Sequence, residues 1–257
     1  MNRSYNERFA RQLVMPEIGE AGQEKLKNAR VLVIGAGGLG SAAIYYLAAA
    51  GIGTLGIMDG DLVELTNLNR QIIHSEKRLG MNKALSAGMT VTELNSEINV
   101  KAYDHFADAN NILGIIKDYD FIIDASDRAV NKFLINDACV IGKKPFCHGG
   151  VLRWGGQIMT YIPGKGPCLR CIFGDVSDDD APPCSEVGII GMTCGTAGSV
   201  QAFEAVKYIL GAGELLCGRI LVFDGFSMSF RSVSFPSRNE KCRVCSEKCG
   251  HQGALLV

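Results

Sequence analysis

The segment from residue 35 to residue 40 matches the pattern Gly-x-Gly-x-x-Gly. Glycines in this pattern permit a tight turn and let backbone N–H groups approach a phosphate, while a helix behind the turn adds partial positive charge. The apolar run 30–34 precedes the motif. Asp59 ends the next apolar run and can accept hydrogen bonds from ribose hydroxyls. The pattern predicts a nucleotide-binding turn formed by Gly35, Gly37, Gly38 and Gly40.

A cluster of polar and cationic residues follows Asp59. Its members are Asp61, Asn67, Asn69, Arg70, Gln71 and Lys83. Two cations beside an anion site exceed what hydride transfer needs, whereas a triphosphate that loses pyrophosphate requires such charge. The glycine pattern does not by itself separate a dinucleotide from ATP. A solvated surface loop would have the same composition, so both alternatives stay open on spacing alone.

Another acidic motif, Asp124-Ala125-Ser126-Asp127, ends a later apolar run. Open α/β sheets bind ligands at the carboxyl ends of their strands. Mg²⁺ favours one or two carboxylates together with phosphate oxygens, so Asp127 is a candidate Mg²⁺ ligand. The alternative is an aspartate that caps the next helix.

Two Cys-x-x-Cys pairs lie far apart in the chain, and they consist of Cys168, Cys171, Cys242 and Cys245. Four thiolates are typical of a closed, structural Zn²⁺ site. Free cysteines or a redox pair are the alternatives, and Cys249 is a possible substitute ligand. Cys184 lies in a loop after two prolines, and from its neighbours alone we interpret it as an ordinary loop cysteine.

The elements that must position these residues alternate between strand and helix. Strands are predicted over 30–34, 54–58, 98–103 and 121–124, with a fifth starting at 144, and helices over 41–50, 82–94, 109–116 and 130–141. This alternation is typical of a doubly wound, mostly parallel α/β sheet of Rossmann type. Antiparallel strands are predicted over 155–162, 219–223 and 230–235, with a helix over 195–210.

Composition limits the classes of protein that the chain can belong to. Of 257 residues, 47% are hydrophobic, which excludes a disordered chain. The net charge of −1 gives no basic field for nucleic acid. We expect neither a membrane span nor a secretory signal, and we interpret the protein as cytoplasmic. We expect a single domain over 1–257, with a nucleotide-binding part at about 28–150 and a second, zinc-binding part at about 151–250.

With these motifs in place, the chain resembles the ubiquitin-activating-enzyme-like adenylyltransferases of the ThiF/MoeB/HesA family. The resemblance extends from Arg8 to Cys245. It depends on the segments 8–12, 35–40, 59–61, 67–71, 80–83 and 124–127 and on the paired Cys-x-x-Cys motifs. Such enzymes use ATP and Mg²⁺ to adenylate the C-terminal Gly-Gly carboxylate of a small ubiquitin-fold sulfur-carrier protein. The products serve sulfur transfer in thiazole (thiamine) or molybdopterin biosynthesis.

The resemblance also implies roles for individual residues. Asp59 would bind the ribose, and Asp127 would hold Mg²⁺. Arg11 would reach the ATP of the partner subunit in a homodimer. The phosphate ligands would be Asn67, Arg70 and Lys83, assisted by Gln71. Structural Zn²⁺ would be held by Cys168, Cys171, Cys242 and Cys245, and the second part of the chain would bind the carrier.

Cys184 matches a position where some family members carry a cysteine that bonds covalently to the carrier, so the resemblance makes it a candidate catalytic residue. The chain departs from the family at Arg128, where asparagine is usual, and in the acidic segment 175–183. Because no sulfurtransferase domain follows, we expect a separate sulfur-donor protein. The alternatives are adenylation of a peptide or another carboxylate, a NAD-dependent oxidoreductase, and a non-catalytic zinc-stabilised scaffold.

Overall fold

The computed structural model describes residues 3–174 and 187–246. Cys184, Cys249 and the acidic segment 175–183 lie outside these residues. Within them, one sheet has the strand order β3-β2-β1-β4-β5-β6-β7-β8. Its strands are β1 (Arg30–Ile34), β2 (Thr54–Met58), β3 (Asn99–Tyr103), β4 (Phe121–Asp124), β5 (Phe146–Leu152), β6 (Gly155–Tyr161), β7 (Arg219–Asp224) and β8 (Ser229–Ser234).

Helices connect the strands and precede the first of them. They are α1 (Arg3–Arg8), α2 (Ala10–Leu13), α3 (Gly19–Asn28), α4 (Gly38–Ala50), α5 (Lys83–Leu94), α6 (Ile112–Ile116), α7 (Ala129–Ile141), α8 (Leu169–Phe173) and α9 (Gly191–Leu210). Two single 3₁₀ turns, at 65–67 and 76–78, lie between β2 and α5. Among the described helices, none combines the length and apolar character that a bilayer span needs.

The sheet changes from parallel to antiparallel at β5. Strands β1 to β5 pair in parallel, and β5 to β8 pair antiparallel. Parallel neighbours need a crossover connection, here supplied by helices, whereas β5 and β6 are joined by a hairpin. The predicted fold class, a mostly parallel doubly wound sheet with antiparallel C-terminal strands, is confirmed.

Alternate residues of the central strands pack into two separate cores because successive strand side chains point to opposite faces. Val31 and Val33 of β1 belong to one buried cluster, together with residues of α4, α5 and α9. Leu32 and Ile34 belong to the other, together with residues of α6 and α7. Burial on both faces explains the continuous β-branched run that β1 shows in the sequence.

Some element boundaries differ from the prediction. Helix α6 begins at Ile112 instead of residue 109, because Oδ1 of Asp108 accepts hydrogen bonds from the backbone N–H groups of Asn110 and Asn111 and holds a turn there. Helix α9 begins at Gly191, four residues before the predicted start. The chain order reverses between β1 and β4, and this switch point is where doubly wound sheets bind ligands.

Candidate functional site

The glycine turn between β1 and α4 is shaped by close backbone approaches. Gly35 has a φ of +102°, and a Cβ there would lie 2.5 Å from the carbonyl oxygen of Ala125 on the neighbouring strand connection. A Cβ on Gly40 would collide with the carbonyl of Gly35, and one on Gly38 would lie 2.6 Å from Sγ of Cys194. Gly37 is different, because its nearest neighbour would be Nε2 of Gln71 at 3.6 Å. The turn is therefore open to a ligand at Gly37.

Asp59 is positioned by the turn that it supports. Its Oδ2 accepts a hydrogen bond from the N–H of Ala36 at 2.7 Å, and its Oδ1 accepts one from Asp61 at 2.9 Å. Burial raises the pKa of the Asp59 carboxyl, against these two hydrogen bonds. Because each carboxylate oxygen accepts more than one hydrogen bond, ribose hydroxyls can still be bound.

The two cations predicted from the sequence are fixed in different ways. Nζ of Lys83, a buried side chain, lies 2.9 Å from Oδ2 of Asp61. The guanidinium of Arg70 donates to Oδ1 of Asn67 at 3.0 Å and to Oδ1 of Asn69 at 3.1 Å. Asn67 thus orients Arg70. Both cations line the cavity in front of the glycine turn.

This cavity has a volume of about 590 Å³. Gln71 lines it, and its Oε1 is buried without a hydrogen-bond partner among the described residues. A ligand with a polar donor would satisfy this oxygen. The predicted site residues that line the cavity are Gly35, Gly37, Gly38, Asp59, Asp61, Arg70, Gln71, Lys83 and Asp127. An adenine nucleotide with its phosphates fits this set of donors, cations and glycines.

Other predicted site residues lie outside the cavity lining. Gly40 packs against the Gly35 carbonyl, and Asn67 contacts Arg70. Arg11 is an exposed residue of α2, and its predicted contact with a partner subunit stays a prediction. Cys184 lies outside the described residues, so its predicted role also stays a prediction.

Asp127 is exposed at the rim of the cavity, between β4 and α7. The residue in the N-cap position of α7 is Arg128, and its side chain makes no capping hydrogen bond. Asp127 therefore lies one residue before the N-cap position. The alternative interpretation places it at the N-cap. An exposed carboxylate at the mouth of a phosphate site suits Mg²⁺.

Beneath Asp127 lies a buried polar network that sequence reasoning missed. Oδ2 of Asp124 lies 2.8 Å from Nδ1 of His148 and 3.6 Å from Nζ of Lys132. Burial by itself would raise the pKa of Asp124, but Lys132 and His148 outweigh it, so the pKa lies below its ordinary value. Burial lowers the pKa of His148 despite the bond to Asp124. Both Lys132 and His148 line the cavity.

The cavity continues as a trough along the antiparallel strands. Gly150 of β5 and Gly155 and Gly156 of β6 line it, together with Gln157 and Val222. A Cβ on Gly156 would lie 2.6 Å from the ring of Phe223, so no side chain fits there without a shift. Glycines thus keep side chains out of this part of the cavity.

The four cysteines of the Cys-x-x-Cys pairs lie close together near the second half of α7, away from the end of that helix that lines the cavity. Their sulfur atoms all lie within 4.8 Å of one another. Sγ of Cys168 lies 3.7 Å from Sγ of Cys242, and Sγ of Cys171 lies 3.2 Å from Sγ of Cys245. Tetrahedral zinc with Zn–S bonds of about 2.3 Å requires separations of about 3.8 Å. The cluster is therefore consistent with a zinc site.

A nucleotide-binding α/β protein is the class that this fold and cavity define. The sequence matches the ThiF family over residues 9–244. This match covers most of the chain, and the protein therefore belongs to the ThiF family. The resemblance found from the motifs is confirmed.

Similar proteins extend the comparison. The Adenylyltransferase and sulfurtransferase MOCS3 of Drosophila ananassae is 45% identical over 240 residues, which cover 93% of this chain and 53% of that protein. The protein of the same name from Dictyostelium discoideum is 45% identical over 244 residues, which cover 94% of this chain and 57% of that protein. The chain thus spans about half the length of these curated relatives.

A crystal structure of E. coli MccB with ATP has a similar fold. The TM-score is 0.80 at 25% sequence identity, and the match covers 95% of this chain and 76% of that chain.

Proposed function

We propose that the protein is an ATP-dependent adenylyltransferase that activates the C-terminal Gly-Gly carboxylate of a small ubiquitin-fold sulfur-carrier protein. The observation that carries the proposal is the gathering of Arg70, Lys83 and Asp127 around the helix N-terminus at Gly37. Attack of a carboxylate on a triphosphate brings two anions together, so positive charge and positioning are what the protein can contribute. The names of the relatives and the ATP-bound MccB structure support this activity.

In the proposed reaction, Asp59 binds the ribose, and the backbone N–H groups at Gly37 and Gly38 face the phosphates. Arg70 and Lys83 neutralise phosphate charge as it develops on the leaving pyrophosphate. Asp127 would hold Mg²⁺, which would supply positive charge to the phosphates. A base is not required, because the attacking carboxylate is already ionised at neutral pH.

The carrier's C-terminal tail would lie in the trough along β5 and β6. Glycines line the floor of the trough, and a Gly-Gly end has the small cross-section that such a floor admits. Sulfur transfer for molybdopterin or thiazole synthesis is the pathway class we propose. A separate protein would donate the sulfur, and the thiolate of Cys184 would attack the acyl adenylate to form a thioester with the carrier, releasing AMP.

Several broader predictions belong to the same proposal. We infer a cytoplasmic homodimer in which Arg11 of each subunit reaches the ATP of its partner. We also infer one domain, with nucleotide bound by residues 28–150 and carrier and zinc bound by residues 151–250. The four clustered cysteines would hold Zn²⁺ as a structural ion, because four thiolates leave no open position for water.

Pyrophosphate exchange into ATP tests the proposal directly. The purified chain is mixed with Mg²⁺, ATP, labelled pyrophosphate and each Gly-Gly-ending carrier of the source organism. We expect carrier-dependent exchange that falls at least a hundredfold in Arg70→Ala, Lys83→Ala and Asp127→Ala, because each removes a phosphate contact or the metal ligand. Lys101→Ala, in edge strand β3, is the matched control and should retain full exchange.

The outcomes separate the alternatives. Pyrophosphate exchange that depends on a peptide and on none of the ubiquitin-fold carriers would show that the substrate is a peptide. Binding of NADH with a change in its fluorescence, without any exchange, would favour an oxidoreductase. Binding of Mg-ATP at a hundredfold excess over Kd would stabilise the folded protein by about 2.7 kcal/mol. An unchanged Tm with saturating Mg-ATP would therefore favour a non-catalytic scaffold.

A further inference from the structure

Lys132 makes contacts that the reading of the motifs did not anticipate. It lies in the second turn of α7, with its side chain 14% exposed at the floor of the cavity. Its Nζ donates hydrogen bonds to the carbonyl oxygens of Ser126 and Gly149, the latter at 2.7 Å. The same ammonium lies 3.6 Å from Oδ2 of Asp124. Lys132 thus holds backbone on two sides of the site.

The first of these contacts completes the immobilisation of Ser126. Oδ1 of Asp124 accepts hydrogen bonds from the N–H of Ser126 at 3.1 Å and from its hydroxyl at 2.6 Å. Nζ of Lys132 donates a hydrogen bond to the carbonyl oxygen of Ser126. That carbonyl belongs to the peptide unit whose N–H is that of Asp127, so fixing its direction fixes the direction of the N–Cα bond of Asp127.

The second contact ties the same ammonium to the trough. Gly149 precedes Gly150, which lines the trough floor on β5. The side chain amide of Gln201 bridges the same two strands from the other face, since it donates to the carbonyl of Asp124 at 2.7 Å and to that of Cys147 at 3.2 Å. One ammonium therefore joins the loop that carries Asp127 to the strand on which the acyl chain would lie.

The network leaves Lys132 little freedom to do anything else. Asp124 is fully buried, and His148 takes one side of its Oδ2. Removal of the ammonium would take the nearest cation from a buried carboxylate and a hydrogen-bond donor from each of two carbonyls. A buried cation satisfied by backbone carbonyls is rigid, which is the property that a positioning group requires.

We propose that Lys132 is a positioning residue that fixes the position of Asp127 relative to the trough at β5. The affinity of the site for Mg²⁺ would therefore depend on Lys132. The inference rests on the proposed function only in assigning Mg²⁺–ATP to the cavity. Lys132 itself touches neither metal nor nucleotide in this proposal, because two of its N–H groups donate to Ser126 and Gly149 and its charge is paired with Asp124 at 3.6 Å.

The test compares nucleotide binding with and without Mg²⁺ in the full chain, without any carrier. Titration calorimetry gives the Kd of Mg-ATP and, in EDTA, of free ATP. We expect Lys132→Met to weaken Mg-ATP at least tenfold and free ATP less than threefold, whereas Lys132→Arg retains Mg-ATP within threefold. Lys144→Met is the matched control. Nζ of Lys144 also donates to two carbonyl oxygens, those of Lys117 and Tyr119, but it lies at the opposite end of strands β4 and β5 from the cavity.

A double-mutant cycle decides whether Lys132 acts through Asp127. In an Asp127→Asn background, Lys132→Met should add less than a twofold loss of Mg-ATP affinity. Equal losses for Mg-ATP and free ATP, or an unchanged Mg-ATP affinity, would overturn the proposal. If Lys132→Met does not purify as a folded protein, Lys132→Gln is measured in the same cycle.

These readouts also keep the two proposals apart. Loss of the Mg²⁺ preference in Lys132→Met supports the positioning role even where no carrier supports pyrophosphate exchange. Conversely, carrier-dependent exchange with an unaltered Mg²⁺ requirement in Lys132→Met leaves the adenylyltransferase standing and removes the role of Lys132.

Discussion

His74 is a second buried side chain that holds the backbone of the glycine turn. Its Nε2 lies 2.8 Å from the carbonyl oxygen of Ala36, and its Nδ1 lies 2.9 Å from the hydroxyl of Ser86. The carbonyl can only accept, so Nε2 carries the proton and Nδ1 accepts from Ser86. Burial lowers the pKa of His74 to about 4, and the charges of Lys83 and Arg78 act in the same direction.

This depressed pKa predicts how stability depends on pH. The unfolded chain binds a proton at His74 near pH 6.5 and the folded chain only near pH 4, so stability falls as pH drops through this window. From pH 7.5 to pH 5 we expect His74 to account for a loss of about 2 kcal/mol in the free energy of unfolding. Urea denaturation of the wild type and of His74→Gln at both pH values measures this loss. The variant should lose about 2 kcal/mol less in the free energy of unfolding than the wild type.

His105→Gln is the control for that measurement, because the side chain of His105 is exposed and its Nδ1 lies 3.1 Å from the carbonyl oxygen of Phe106, outside the glycine turn. Its loss between the two pH values should equal that of the wild type. A His74→Gln variant with the wild-type pH dependence would contradict a neutral, buried imidazole at this position.

At the scale of residues, the sequence predicted the groups that lie in short motifs. Asp59, Arg70 and Lys83 could be found because each lies next to a recognisable turn or helix start, and they line one cavity. Lys132 and His148 could not, because their shared partner Asp124 is buried and lies on a different element from each of them. Only the pairing of β4 with β5 makes Asp124 and His148 neighbours.

At the scale of elements, α7 connects the cavity with the cysteine cluster. Its first residue, Ala129, lines the cavity, and two turns later Asn136 and Asp137 meet the first Cys-x-x-Cys pair. Oδ1 of Asn136 accepts a hydrogen bond from the N–H of Leu169 at 2.8 Å. Asp137 forms a buried ion pair with Arg170, the shortest N–O distance being 2.7 Å. A rigid helix thus spans the distance between the two sites.

We expect Asp137→Asn to destabilise the protein by about 3–5 kcal/mol, because it removes the carboxylate charge from a buried ion pair with Arg170. In a chain of this size that corresponds to a fall in Tm of roughly 10 °C, measured by calorimetry. Zinc retention, measured on the same samples, should fall as well, since Arg170 lies between Cys168 and Cys171.

Glu214→Gln supplies the comparison for an exposed ion pair. Glu214 lies 3.4 Å from Arg219, and its side chain is 87% exposed. Its loss should cost less than about 1 kcal/mol. Equal costs for the two substitutions would show that the Asp137–Arg170 pair does not support α7.

At the scale of the whole molecule, the chain closes on itself through its cysteines. Cys168 and Cys171 follow β6, whereas Cys242 and Cys245 lie beyond β8, and 74 residues separate each contacting pair. Cross-links over long loops stabilise by restricting the unfolded chain, and metal binding contributes directly to folding. We therefore expect zinc to hold the antiparallel end of the sheet against α7.

Cys245→Ser tests that expectation. Elemental analysis should find one zinc per chain in the wild type and much less in the variant, with a Tm lower by several degrees. A strong chelator should lower the Tm of the wild type but not that of Cys245→Ser. Cys217→Ser, which alters a half-buried thiol outside the cluster, should behave as wild type. Full zinc binding by Cys245→Ser would contradict a four-cysteine site.

The alternation of parallel strands and helices also followed from the sequence, because apolar, β-branched runs are followed there by helical patterns. The boundaries did not follow as well: the side chain of Asp108 shortens α6, and α9 begins four residues early at Gly191, where a Cβ would lie 2.6 Å from the carbonyl oxygen of Asn69. Such limits are set by tertiary contacts that no local pattern contains.

The position of the second cysteine pair has a consequence for biosynthesis. A ribosome delivers Cys168 and Cys171 long before Cys242 and Cys245, so the nascent chain offers only half of a metal site until the second pair has been synthesised. The sheet strands β1 to β5 have by then left the exit tunnel. Capture of the ion by all four ligands must therefore follow synthesis of the sheet, and chains that terminate before Cys242 lack two of the ligands.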